Sequence, residues 1–141
     1  VDPDNIYLGE KDFQQLRIIE NLVFEKKINT KVVRCETLRD SDGLALSSRN
    51  SKLSFSSKKI ATNLFKALNF AKEKFNTLDV VEIEKKVIKQ MTAHSEIKLD
   101  YFIIADEEKL EPSILKNNQK YRAFIAAYIS GVRLIDNIKL Y

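Results

Sequence analysis

A strand, a helix and a second strand follow one another within the first 35 residues, and this order constrains everything downstream. "NIYLG" (5–9) reads as a short buried strand. From Asp12 the apolar positions Phe13, Leu16, Ile19 and Val23 keep helical spacing to about Glu25, and "TKVVRC" (30–35) reads as a second strand. Strands joined by a crossover of this length pair in parallel, and in open parallel sheets ligands gather at the carboxyl ends of strands. Gly9 to Asp12 lies at such an end. A unit of about forty residues cannot close a parallel-sheet core by itself, so it predicts the final portion of a larger nucleotide-binding type of domain.

The remainder has a different grammar. Residues 36–52, "ETLRDSDGLALSSRNSK", break both periodicities and read as a loop with some local order around "GLAL". Ser54 is placed to cap a helix whose apolar set is Ala61, Leu64, Phe65, Leu68, Ala71 and Phe75. Asp79, with Glu82 three residues on, opens another helix carrying Val80, Ile83, Val87, Ile88 and Met91. "IKLDYFIIAD" (97–106) and the two runs around Ser130-Gly131 are strand-like, separated by the polar "EKLEPSILKNNQ". The expected fold is α/β plus α+β: a terminal βαβ portion over 1–43, then a small domain over 44–141 with two helices packed on a three-stranded antiparallel sheet.

Charge and cysteine usage narrow the function classes. Residues 1–50 carry eight Lys/Arg against nine Asp/Glu, and 51–141 carry sixteen against eleven, for a net charge of +4. The basic excess is mild and interleaved with acids, and most phenylalanines fall at core-like spacing, which argues against a nucleic-acid module. No apolar run has the length of a membrane span and "VDPDNIYLGE" has no signal-like core, so a cytoplasmic location is expected. With one cysteine, Cys35, and one histidine, His94, neither an internal disulfide nor a Cys/His metal site is expected. Cys35 reads as a small buried hydrophobe, His94 as a surface residue near a helix end, and Asp106 to Glu108 as a solvated turn. The phenylalanines at 65, 70 and 75 read as core.

Two stretches carry candidate chemistry, each with a plainer alternative. In "YLGEKDFQQL" Glu10 and Asp12 suit the start of a helix dipole, but Lys11 puts a cation at the positive end. A phosphate near exposed helix N–H groups would suit both the lysine and the corner. In "DGLALSSRN" the hydroxyls of Ser47 and Ser48 and the guanidinium of Arg49 suit an oxygen-rich polyanion; a polar turn leading into a helix cap is the alternative. The loop is no Walker motif.

Read together, "YLGEKDFQQL", then "DGLALSSRN" some thirty residues on, then "RLIDNI" near the end, resemble the pantoate–β-alanine ligases of coenzyme A biosynthesis. The resemblance covers essentially the whole chain. It implies a Rossmann-like nucleotide-binding domain followed by a smaller α+β lid, as in the class I aminoacyl-tRNA synthetases. It also implies an AMP-forming carbon–nitrogen ligase using ATP with Mg2+, in which pantoate is adenylated and the amine of β-alanine then displaces AMP.

Carried over by position, the resemblance gives Gly9, Glu10, Lys11 and Asp12 the ATP-binding corner, with Gly9 admitting the ribose, Asp12 bonding its hydroxyls and Lys11 holding phosphates. Gln15 becomes the pantoate-binding glutamine and Leu38 a backbone contact to adenine. Leu46, Ser47, Ser48 and Arg49 become the mobile phosphate-binding loop, with Lys11, Ser47, Ser48 and Arg49 carrying catalysis. The resemblance assigns no protein metal ligand. The family's His-x-Gly-His motif is not in this sequence, so the chain is expected to hold the second half of the site, to be inactive alone, and to leave a sheet edge and an apolar helix face for an N-terminal half or a second copy. The competing expectation is a non-catalytic nucleotide-binding or regulatory relic.

Overall fold

A computed structural model describes residues 3–117 and 119–141. Val1 and Asp2, at the head of the segment read for a signal, and Asn118, in the polar "EKLEPSILKNNQ" stretch, lie outside the described residues. The chain divides into two compact units, Val1–Leu38 and Arg39–Tyr141. The break thus falls ahead of the boundary expected after residue 43.

The first unit is the expected crossover. Strand β1 (Asn5–Gly9) runs into a 3-10 turn (Glu10–Asp12) and helix α1 (Phe13–Glu25), and β2 (Lys31–Cys35) returns parallel to β1 with Ile6 opposite Val32. Helix α1 buries Phe13 and Leu16. The Arg34 guanidinium on β2 lies over the Phe13 ring at 5.5 Å and donates twice to the Glu20 carboxylate of α1, at 2.7 and 2.8 Å. This pins strand to helix where apolar burial is slight. β1 is not a buried strand: Asn5, Tyr7 and Gly9 are exposed, and only Ile6 and Leu8 are half-buried. One helix cannot cover two faces of a strand pair.

In the second unit α2 (Phe55–Lys74) and α3 (Val80–Thr92) pack on an antiparallel sheet of order β3-β4-β5, formed by Ile97–Asp106, Tyr121–Ile129 and Val132–Lys139. Helical spacing aims Ala61, Leu64, Ala67, Leu68 and Ala71 of α2 and Val80, Ile83, Val87 and Met91 of α3 at the sheet, and all are buried. From β4 alternate residues Ala123, Ile125, Ala127 and Ile129 meet them, each fully buried. Burial of each such Leu or Ile contributes about 1.5–3 kcal/mol. The Ser54 hydroxyl accepts the Ser57 N–H at 3.1 Å, capping α2 as expected. Asp79 occupies the N-cap of α3 without a side-chain cap bond. Ser130 and Gly131, with φ of 50° and 78°, make the two-residue turn between β4 and β5. The fold is therefore α/β plus α+β.

Candidate functional site

At the corner of the first unit, the strand ends at Gly9 and the 3-10 turn passes directly into α1. The turn therefore presents helix-type N–H groups at the carboxyl end of β1. Gly9 has an ordinary extended φ of −72°, and a Cβ built on it would meet nothing within 4 Å. Neither backbone conformation nor packing within the unit calls for glycine there. Glu10 is buried, Lys11 half-buried and Asp12 exposed, and the Asp12 carboxylate caps nothing. Gln15, one turn on, is exposed, as is Leu38 beyond β2 at 73%. The structure thus gathers Gly9, Glu10, Lys11, Asp12 and Gln15 on one corner.

The loop of the second unit is built by its own polar side chains. Asp40 Oδ1 accepts the N–H groups of Asp42 and Leu44 at 3.0 and 2.9 Å, and Gly43 turns the chain at φ 90°. Leu44 and Ala45 then enter the core. Beyond Leu46, which is half exposed, the Ser47 hydroxyl accepts the Arg49 N–H at 3.1 Å and starts a 3-10 turn (Ser48–Lys52). Asn50 reaches back to the Ala45 carbonyl at 3.0 Å. Ser48 and Arg49 are left exposed at the tip. Arg17, Arg34, Arg39, Arg122 and Arg133 each pair with a carboxylate, whereas the Arg49 guanidinium has no hydrogen bond or ion pair among the described residues.

Three plainer readings need correction. Cys35 is exposed, because it ends β2 beyond the reach of α1. Asp106 and Glu107 are buried: Asp106 accepts the N–H groups of Glu108, Lys109 and Glu111, while Glu107 pairs with Arg122 and accepts the Tyr141 hydroxyl at 2.8 Å. A carboxylate leaves water readily when N–H groups and a guanidinium replace it. Phe65 is only half-buried, with Arg39 over its ring at 3.9 Å. Sequence reading also missed the Arg39–Asp136 pair. Its signal was present, because Asp136 falls at the same strand parity as Leu134 and Ile138, an acid in an inward-facing row.

Together these features define an α/β plus α+β protein whose candidate polar groups stand at a strand-to-helix corner and at a Ser-Ser-Arg tip. The chain belongs to the pantoate-β-alanine ligase family, whose sequence model matches residues 1–139. It is 45% identical over 141 residues to the pantothenate synthetase of Flavobacterium psychrophilum and 44% identical to that of Christiangramia forsetii, covering 99% of this chain and 50% of each relative. The crystal structure of pantothenate synthetase from Thermus thermophilus superposes with a TM-score of 0.89 at 34% identity, over 98% of this chain and 50% of that one. A Francisella tularensis pantoate-β-alanine ligase, solved with β-γ ATP and β-alanine, superposes with a TM-score of 0.65 at 36% identity, over 97% of this chain and 44% of that one. The chain spans about half the length of these relatives.

Proposed function

We propose that the chain supplies the C-terminal part of an ATP-dependent ligase that condenses pantoate with β-alanine. A pantoate carboxylate oxygen attacks the α-phosphorus of ATP, the bond to pyrophosphate breaks, and pantoyl adenylate forms. The β-alanine amine then attacks the acyl carbon, a carbon–nitrogen bond forms, and AMP departs. The observation that carries this reading is Arg49: an exposed guanidinium with no carboxylate of its own, beside two serine hydroxyls, suits a polyanion whose charge shifts during reaction.

The residue types match these roles. Lys11 and Arg49 stabilise charge on the phosphates and on the departing pyrophosphate, Ser47 and Ser48 donate to phosphate oxygens, Asp12 accepts from the ribose and Gln15 from pantoate. Gly9, which the unit itself does not need, leaves room for the ribose, and Leu38 offers its backbone to adenine. No nucleophilic side chain is required, because pantoate attacks. Among the described residues no group of three or more His, Cys, Asp or Glu is placed to hold a metal ion. Mg2+ would accompany the ATP phosphates and neutralise their charge there.

The first unit leaves Tyr7 66%, Ile18 63% and Phe24 84% exposed. That much apolar surface on so small a unit suits burial by the remaining part of the ligase or by a second copy. No helix of the described residues is long and apolar enough to cross a membrane. The test is AMP release from ATP, pantoate and β-alanine, for the chain alone and after addition of an N-terminal half carrying His-x-Gly-His. Turnover only in the complemented sample, reduced by about 10²–10³ in Arg49→Ala, supports the reading. No turnover under any complementation would leave a nucleotide-binding relic as the better account.

A further inference from the structure

The inner face of β5 should be apolar, and Leu134 and Ile138 obey that rule. Asp136 between them does not. It lies opposite Ile125, itself fully buried, and is only 5% exposed. A carboxylate there is costly unless it is paired and hydrogen-bonded. Its partner comes from 97 residues earlier: Arg39 donates through Nη1 to Oδ2 at 2.5 Å and through Nη2 to Oδ1 at 2.9 Å. The guanidinium is fixed on its other sides as well. It stacks on Phe65, donates to the Gly43 carbonyl at 3.1 Å, and reaches the Asn137 carbonyl at 3.4 Å.

The fixed point sits at one foot of the Ser-Ser-Arg loop. Arg39 bridges Ala45, and between them the Asp40–Gly43 turn is closed by Asp40. The other foot is tied by Asn50 to the same Ala45. Only Leu46 to Arg49 project beyond these ties. A leucine at 136 would fill the sheet face, but it could not hold a guanidinium; the acid serves the loop.

We infer that Arg39 and Asp136 are positioning residues for the Ser47–Arg49 tip, setting the arrangement in which its hydroxyls and guanidinium meet a polyphosphate. The inference rests on the phosphate-handling reading of that tip, and the experiment separates the two. Amide exchange on the 141-residue chain, and ATP titration on that chain complemented with an N-terminal half carrying His-x-Gly-His, are followed by nuclear magnetic resonance for the wild type, for Arg39→Lys, which keeps charge but loses the planar fork, and for Asp136→Asn. Phe65→Leu, which removes only the stacking surface, serves if either variant fails to fold.

The expected result is a loss of protection at the Arg49 and Asn50 amides of ~10-fold or more in Arg39→Lys and Asp136→Asn, with Ile104 and Ile125 still protected. A smaller loss in the same direction is expected for Phe65→Leu. ATP-induced shifts at Ser47, Ser48 and Arg49 should then require ~10-fold more nucleotide in the variants, a weakening that a purely structural role would not confine to the tip. Wild-type protection at Arg49 and Asn50 in the variants overturns the positioning role. Absence of ATP shifts in the complemented wild-type chain instead removes the phosphate reading, leaving exchange to decide the clamp.

Discussion

Glu107 and Arg122 meet at 2.7 Å with side-chain exposures of 8% and 2%, and the Arg122 Nη1 continues to the Asn137 Oδ1 at 2.5 Å. The pair ties the end of β3 through β4 to β5, and Tyr141 closes it from the far end of the chain. Truncating one member strands the other charge without water. Glu107→Ala is therefore expected to cost about 3–5 kcal/mol in the second unit, read from urea denaturation. A loss under about 1 kcal/mol would show that water reaches the pair.

Gly43 and Gly9 are glycines for opposite reasons. At Gly43 φ is 90°, and an added Cβ would fall against the Phe65 ring. Gly43→Ala should destabilise the second unit by about 1–3 kcal/mol, measured by thermal unfolding.

Gly9→Ala should leave folding intact or raise stability by about 0.4–1 kcal/mol, since its backbone already sits where alanine sits. The same substitution is expected to weaken nucleotide binding in the assembled ligase. A Gly9→Ala protein that folds and binds ATP normally would remove the reason given for that glycine.

Two half-buried glutamates give stability slopes of opposite sign. Burial pushes the Glu84 carboxyl upward from 4.5, and the hydrogen bond from the Ile104 N–H at 2.9 Å only partly offsets it. The folded state then binds the proton more tightly than the unfolded state. Its contribution is present below 4.5 and is lost as pH rises through the raised folded value. Glu84→Gln should remove that falling component from the denaturation midpoint measured across about pH 4–7.

At Glu20 burial also acts upward, but the hydrogen bonds from Arg34 and Arg17 and their charges outweigh it, and the carboxyl lies below 4.5. Here the stabilising contribution holds above 4.5 and is lost as pH falls through the lowered value. In Glu20→Gln the acid-induced loosening of α1 from β2 should flatten. An unchanged acid limb would show that Arg34 does not bind the helix through this carboxylate.

Element order and type were legible because they depend on short-range periodicity. The spacing of Leu64, Leu68 and Ala71, the alternation in "IKLDYFIIAD", and the Ser130-Gly131 turn each act within a few residues of chain. The corner and tip residues were legible as types for the same reason: a strand-to-helix junction and a Ser-Ser-Arg turn are local. Hidden were the facts that depend on distant partners. Cys35 looked buried until β2 proved to be covered by a single helix, and Asp106 and Glu107 looked solvated until Arg122 and the turn amides closed on them.

Chain neighbours alone specify the strand–helix–strand opening, the helices and sheet of the second unit, and which residue types stand at the corner and the tip, because side-chain period and backbone preference are properties of adjacent residues. Which charges are spent and which are left over is settled by the fold in three dimensions. Asp136 is committed to Arg39 across 97 residues, and Arg49 is left without a carboxylate among the described residues. Pairing a buried charge depends on what the fold brings within about 3 Å of it, and no local pattern encodes that distance.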